Sequence, residues 1–232
     1  MCCNNNVRKV LMLSEMINRI LKLPLYLKLN ALFFAALLFI CTAYTKTAGF
    51  VLLNLYHKPW LDRVFRVLTH LGDGCFALAV IAVCFLMRQR RLGYSLTLAF
   101  LSSGLVAVLL KILFREDRPK LYFEKTGFRY PYFIEGMVTN NSCSFPSGHT
   151  TTAFAIATVL SLWSGKNNMV ILLFFLAAVA GYSRIYLAQH FPQDVLAGMV
   201  IGMMAGMLSH HLVLKKAVYG QTRPQTKYNL IS

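Results

Sequence analysis

Residues 183–200 read SRIYLAQHFPQDVLAGMV. Apolar residues predominate on both sides of this stretch, yet it keeps Arg184, His190 and Asp194 together. Pro192 is disfavoured deep within a helix, so it marks the first turn of a second helix and leaves His190 just outside that helix. The stretch therefore predicts two apolar helices joined by a short polar connection.

The composition places these helices in a membrane. The chain has 232 residues, of which 57% are hydrophobic, and a mean hydropathy of +0.55. These values exceed those of an ordinary soluble domain and favour a small multi-pass membrane protein. No secretory signal peptide is predicted, because further apolar runs follow the first one and no small-residue cleavage site intervenes. We expect the spans themselves to direct insertion.

Six apolar runs approach the roughly 20 residues that a helix needs to cross about 30 Å of hydrocarbon. They are 29–45, 72–87, 94–113, 149–163, 169–187 and 194–214. The second and fourth runs are short and need Asp73 and Lys166 to lie at the interfaces. The sequence therefore predicts an all-α fold, a bundle of six transmembrane helices over residues 29–214.

Two further segments have the pattern of short amphipathic helices. In residues 7–27, VRKVLMLSEMINRILKLPLYL, apolar and charged residues alternate at helical spacing, as in an interfacial helix. Residues 58–70 show a similar apolar face, in which Trp60 suits the headgroup region. We predict an interfacial amphipathic helix in residues 1–28 and a basic cytoplasmic tail over 215–232.

Lysine and arginine indicate the orientation. The net charge is +16, but the basic residues lie at the ends of apolar runs and form no patch with interleaved aromatics, which argues against nucleic acid. One face collects the cations of the N-terminal segment, the RQRR cluster at 88–91, Lys166 and the tail. The positive-inside rule makes this face cytoplasmic, with both termini. The opposite face carries the predicted loop at 115–145.

The chain has six cysteines, and no two of them have the CxxC spacing of a zinc site or redox pair. Most are expected to be small hydrophobic residues. A disulfide between Cys75 and Cys143 is conceivable, because the predicted topology puts both near the outer face.

Three polar stretches lie at the predicted outer ends of helices. They are KILFREDRP at 111–119, SFPSGHTTT at 144–152 and SRIYLAQHFPQD at 183–194. Each has an ordinary explanation when taken alone: a snorkelling lysine, a helix start, an interfacial histidine. Ionisable groups near a membrane core cost about 2.5–3.5 kcal/mol each and usually mark a functional site. Together the three stretches favour a functional site.

The residue types indicate phosphate chemistry. Arg118 and Arg184 offer planar forks to phosphate oxygens, and Lys111 adds a point charge. A helix that begins at Ser147-Gly148 adds backbone N–H donors, and glycine lets an anion approach the main chain. These five residues predict a site for a phosphate dianion.

Two histidines beside that phosphate supply a nucleophile and a general acid. Asp194 lies four residues after His190, within reach of its ring. A carboxylate that accepts the Nδ1 proton orients the ring and leaves Nε2 free to attack phosphorus. His149 is the second histidine of the predicted site. The stretches offer too few carboxylates for a two-metal phosphatase site, so no metal is expected.

The three stretches match a known set of motifs in order and spacing. Lys111 is followed after six residues by Arg118-Pro119, Pro146 opens PSGH, and Ser183-Arg184 is followed after five residues by His190 and after three more by Asp194. This pattern resembles the type 2 phosphatidic acid phosphatase (PAP2) superfamily, and no motif position departs from it. The resemblance covers about 29–214.

The resemblance implies a role for each motif residue. It implies that His190 forms a phosphohistidine, Asp194 orients it and His149 protonates the leaving group. It implies no metal or other cofactor, and phosphate binding by the remaining motif residues, Lys111, Arg118, Ser147, Gly148 and Arg184.

Two other functions are compatible with the same motifs. Soluble vanadium-dependent haloperoxidases hold vanadate at a similar site, but the predicted spans argue against that class. A non-catalytic membrane protein with a relic site is the second alternative, although every catalytic position is intact.

A site at the ends of transmembrane helices predicts a lipid substrate. The resemblance implies lipid A, undecaprenyl pyrophosphate, phosphatidylglycerophosphate or phosphatidic acid, and the stretch WLDRVFRVLTHLGDG at 60–74 resembles bacterial members that act on envelope lipids. We therefore expect a bacterial inner-membrane protein whose site faces the periplasm, and favour the first two substrates. Cations of the 115–145 loop could meet a second phosphate or a sugar, or its aromatic residues could form an interfacial belt.

Overall fold

The computed structural model describes residues 25–134, 136–137 and 142–222, with side chains through residue 215. Within these ranges the secondary-structure elements are helices, which confirms the predicted all-α class. The bounds are α1 Leu25–Ala43, α2 Lys46–Leu52, α3 Pro59–Leu68, a 3-10 turn Thr69–Gly72, α4 Gly74–Leu86, α5 Arg90–Phe114, α6 Pro119–Thr126, α7 Gly148–Ser164, α8 Asn167–Tyr186 and α9 Pro192–Thr222.

Four of these helices are long and apolar enough to cross a membrane: α1, α5, α8 and the part of α9 from Pro192 to Lys215. A fifth candidate is the bent pair formed by Pro59–Gly72 and α4, whose axes differ by 52°. The predicted spans at 72–87 and 149–163 correspond to α4 and α7, which have 13 and 17 residues. The structure therefore supports four or five candidate spans by length and composition.

Helix α7 is the central element of the bundle, and most of its side chains are buried. Helix α9 crosses it closely because Gly198, Gly202 and Gly206 recur every fourth residue along the contact. A Cβ atom added at Gly202 would lie 2.4 Å from the carbonyl oxygen of Thr151. Small residues at this spacing let membrane helices approach to backbone contact.

Several predicted boundaries change. The predicted loop at 115–145 contains α6, which begins at Pro119, a favourable first position, and ends before Gly127 in the left-handed conformation (φ 71°). Helix α9 continues past the predicted domain boundary at 214, and residues 25–28 belong to α1. The predicted amphipathic helix at 7–27 lies almost entirely outside the described residues. The short helix at 58–70 is confirmed as α3 with the following 3-10 turn.

Aromatic residues form a packed cluster over the start of α9. The ring of Phe50 contacts those of Phe123, Tyr130 and Phe191, with centroids 5.2–5.5 Å apart. This packing holds α6 and the segment after it against the connection between α8 and α9. Trp60 is 55% exposed.

Candidate active site

Five helix ends meet on one side of the bundle, because successive long helices run in opposite directions. They are the C-terminal ends of α5 and α8 and the N-terminal ends of α6, α7 and α9. Each carries part of one predicted motif, so the fold gathers three stretches that are far apart in the chain.

The predicted nucleophile His190 is almost fully buried, with 2% of its surface exposed. Its Nδ1 atom lies 3.4 Å from Oδ2 of Asp194, four residues later in the chain. The same carboxylate oxygen accepts hydrogen bonds from the hydroxyl of Ser144 at 2.5 Å and from the backbone N–H of Phe191 at 3.0 Å. These contacts occupy the Nδ1 side of the ring, which leaves Nε2 as the nitrogen for a reaction.

The pKa of His190 suits a nucleophile. Burial lowers this pKa from 6.5 to about 3, although the neighbouring carboxylate of Asp194 acts in the opposite direction. His190 lies between α8 and α9, outside both candidate spans. The imidazole is therefore neutral at neutral pH and keeps the lone pair that attack on phosphorus requires.

A tight turn at the end of α8 sets the position of His190. Ala188 has a left-handed backbone (φ 52°), and the N–H groups of Gln189 and His190 both donate to the carbonyl oxygen of Arg184, at 2.9 and 3.1 Å. This turn reverses the chain and brings the backbone of His190 against that of Arg184. Pro192 then opens α9, as predicted.

The two arginines of the motifs converge at this turn. Nη1 of Arg118 and Nη2 of Arg184 both donate to the side-chain oxygen of Gln189, at 3.1 and 3.4 Å. Nη1 of Arg184 also donates to the hydroxyl of Thr69 at 2.7 Å. The Nε atoms of both arginines are buried and have no protein partner. Buried unpaired donors of this kind are suited to an anionic ligand.

Lys111, at the C-terminal end of α5, binds the backbone of the segment that precedes α7. Its ammonium group donates to the carbonyl oxygens of Cys143 at 2.7 Å and Ser144 at 3.4 Å. These contacts tie the end of α5 to the segment that enters α7. Cys75 and Cys143 are both free thiols, so the conceivable disulfide between them is absent from the structure.

The start of α7 forms a second group of donors. The hydroxyl of Ser147 accepts hydrogen bonds from the backbone N–H of Thr150 at 3.4 Å and from its hydroxyl at 2.8 Å. Ser147 thus caps the helix through its side chain. A Cβ atom added at Gly148 would meet no heavy atom within 4 Å. The space beside this helix N-terminus is therefore open to an anion.

His149 follows in the first turn of α7 and is half-buried. The 3-10 turn packs against its backbone: a Cβ atom added at Gly72 would lie 2.6 Å from the carbonyl oxygen of His149. A larger residue at position 72 would displace this histidine.

Sequence reasoning missed three residues of the site, namely Thr69, Ser144 and Gln189. Ser144 and Gln189 lie inside the quoted stretches, but neither matches a motif position. Thr69 lies in the predicted amphipathic helix at 58–70, which also belongs to the stretch that resembles envelope-lipid enzymes. Polar residues flanking motif positions are a weak signal, because their partners are far away in sequence.

Comparisons with known proteins agree with this geometry. A family model described as PAP2 superfamily matches residues 90–218, more than half of the chain. The chain belongs to the PAP2 superfamily. The resemblance to this superfamily is therefore confirmed, and so is the predicted enzyme class, a membrane lipid phosphatase.

Solved PAP2 structures share the fold. The crystal structure of Aquifex aeolicus LpxE is 33% identical and superimposes with a TM-score of 0.58, covering 69% of this chain and 91% of that chain. A transmembrane PAP2 type phosphatidylglycerolphosphate phosphatase from Bacillus subtilis is 27% identical with a TM-score of 0.61, covering 85% and 96%. An undecaprenyl-diphosphatase of Sulfolobus acidocaldarius is 29% identical over 161 residues, which are 69% of this chain and 74% of that protein.

Proposed function

We propose that this PAP2 enzyme removes a phosphate from a membrane lipid through a phosphohistidine at His190. The observation that carries the proposal is the buried His190–Asp194 pair beside two arginines with unpaired Nε atoms. A neutral, oriented imidazole next to two cationic side chains is the arrangement that phosphoryl transfer to nitrogen requires.

In the proposed first step, Nε2 of His190 attacks phosphorus and the bond between phosphorus and the lipid oxygen breaks. His149 donates a proton to the departing oxygen. In the second step, His149 takes a proton from water, and the resulting hydroxide displaces His190 and releases inorganic phosphate. Arg118, Arg184 and Lys111, with the N–H groups at the start of α7, stabilise the charge that develops on the phosphoryl oxygens.

The proposed substrate is a bacterial envelope lipid, either the diphosphate of a polyprenyl lipid or a lipid A phosphate. The support is the position of the site at the ends of apolar helices, where a headgroup phosphate lies while the chains stay in the bilayer. We propose that the site faces the periplasm, that both termini are cytoplasmic, and that α7 and the bent pair complete six spans.

The test is phosphate release from purified lipids in detergent. The panel contains lipid A, undecaprenyl pyrophosphate, phosphatidylglycerophosphate and phosphatidic acid, each with and without EDTA. We expect turnover of at least one of the first two, unchanged by EDTA and blocked by vanadate. Loss of turnover on chelation that magnesium restores would contradict the phosphohistidine mechanism, and halide oxidation by vanadium-loaded protein would indicate a haloperoxidase.

A further inference from the structure

The side chain of Gln189 lies between the two phosphate-binding arginines and is 3% exposed. Its oxygen accepts from Arg118 at 3.1 Å and from Arg184 at 3.4 Å, and its nitrogen donates to the carbonyl oxygen of Met137. One amide thus joins α6, α8 and the outer segment that precedes α7.

The two guanidinium groups repel each other, and burial strengthens that repulsion. An acceptor placed between them offsets part of this cost and fixes one Nη atom of each arginine. The hydroxyl of Thr69 fixes the other Nη atom of Arg184. The buried Nε atoms of Arg118 and Arg184 have no protein partner.

The identity of the acceptor matters for an anion site. A carboxylate at position 189 would bind both guanidiniums more strongly but would cancel one positive charge and repel phosphate. An amide oxygen bridges the arginines and leaves both charges available to the ligand.

We propose that Gln189 is a positioning residue for phosphate binding, which sets the spacing of Arg118 and Arg184 without neutralising them. The inference rests on the proposed phosphatase function. Its expected effect is on the affinity for phosphate and for the pentacoordinate mimic vanadate.

The experiment compares Gln189→Leu and Gln189→Glu with the wild-type protein in detergent, using calorimetric titration with orthophosphate and orthovanadate. Gln189→Leu removes the bridge at similar volume, and we expect it to weaken both ligands about 10- to 100-fold, as for lost hydrogen bonds to charged groups. Gln189→Glu keeps an acceptor, yet we expect still weaker binding because it adds a negative charge. A purely structural role predicts the reverse order, with glutamate closer to wild type.

The matched control is Gln193→Leu, a glutamine in the first turn of α9 that lines a separate small cavity with Ile40 and Lys46. It should bind both anions as wild type does. If the Gln189 variants fail to fold, Thr69→Val and Thr69→Ser test the other contact that positions Arg184, the hydrogen bond from its Nη1 atom to the Thr69 hydroxyl. Valine should weaken vanadate binding and serine should restore it.

Wild-type affinity in Gln189→Leu, or restored affinity in Gln189→Glu, would overturn the inference. If neither Gln189 variant folds, unchanged affinity in folded Thr69→Val would show that anion binding does not depend on how Arg184 is held, which would also contradict the inference. Failure of the proposed function is a separate result, in which the wild-type protein binds phosphate but hydrolyses none of the lipids.

Discussion

The hydroxyl of Ser144 donates a 2.5 Å hydrogen bond to Oδ2 of Asp194, a residue 50 positions later in the chain. The same oxygen of Ser144 lies 3.3 Å from Nδ1 of His190. Ser144 belongs to the segment that enters α7, whereas its two partners belong to the connection into α9. This contact therefore joins the segment that enters α7 to the predicted nucleophile and its carboxylate partner.

Replacing Ser144 by alanine should slow turnover without abolishing it. The lost hydrogen bond to a charged group is worth about 1.5–3 kcal/mol, which corresponds to about 10- to 100-fold in kcat if the orientation of Asp194 depends on it. Steady-state kinetics on the best lipid substrate measure the effect. Ser142→Ala, which alters an exposed serine two residues earlier, is the control and should be neutral. Wild-type kcat in Ser144→Ala would show that Asp194 is oriented without it.

The two histidines should differ in their response to the leaving group. His190→Ala removes the proposed nucleophile, so we expect no phosphoenzyme and a loss of several orders of magnitude in turnover. His149→Ala removes proton donation, worth about 10²–10⁴-fold, and should affect p-nitrophenyl phosphate less than a lipid phosphate. Labelled phosphoenzyme, trapped without acid, distinguishes them. Label that persists in His190→Ala would mean that the roles are reversed.

The low pKa of His190 predicts that this residue stays a competent nucleophile at unusually low pH. Because burial lowers this pKa to about 3, the folded protein keeps a neutral imidazole as the pH falls through 6.5. The variant His149→Ala isolates this effect. Its rate of phosphoenzyme formation from p-nitrophenyl phosphate, plotted against pH and corrected for substrate ionisation, should show no break near pH 6.5. A break there would contradict a depressed pKa.

The same pKa affects stability. The unfolded chain takes up a proton at His190 near pH 6.5 and the folded chain does not, so this residue's contribution to stability is present above pH 6.5 and is lost as the pH falls toward 3. Thermal unfolding of wild type and His190→Gln in detergent between pH 7 and pH 4 measures this. We expect a smaller acid-induced fall in Tm for the variant.

The contact between α7 and α9 should be sensitive to a single methyl group. A Cβ atom at Gly202 would lie 2.4 Å from the carbonyl oxygen of Thr151 and 2.9 Å from the backbone nitrogen of Ala155. Gly202→Ala should cost about 1–3 kcal/mol and lower Tm by about 2–12 °C. Gly104→Ala in α5, where the added Cβ meets nothing within 4 Å, is the control and should not lower Tm. Equal Tm values for the two variants would show that the contact between α7 and α9 accommodates a methyl group at position 202 without loss of stability.

The proposed orientation predicts which thiols are accessible. Cys143 lies at the site end of the bundle and Asn167 at the opposite end, at the exposed start of α8. In variants with a single cysteine, a membrane-impermeant thiol reagent should label Cys143 in intact cells. Asn167→Cys should react only after permeabilisation. The opposite pattern, or a reporter after Ser232 that is active only outside, would reverse the topology.

Local signals in the sequence are sufficient for the long apolar helices and the motif positions. Apolar runs identify α1, α5, α8 and α9 because a chain in hydrocarbon must satisfy its backbone hydrogen bonds within each segment. Pro192 identifies the start of α9 because its ring excludes it from a helix interior. Asp194 is predicted as the partner of His190 because it lies in the first turn of the helix that Pro192 opens, within reach of a histidine just outside that helix. All three inferences depend on residues close together in the chain.

Tertiary structure decided the contacts that complete the site. Ser144 and Asp194 are 50 residues apart, Arg118 and Gln189 are 71 apart, and Thr69 and Arg184 are 115 apart. No periodicity or spacing in a sequence reports on such pairs, because their distances depend on how closely the helices pack. The packing of α9 on α7 depends in turn on the absence of side chains at Gly198, Gly202 and Gly206. The sequence thus predicts which groups carry the proposed chemistry, and helix packing determines which neighbours hold them in place.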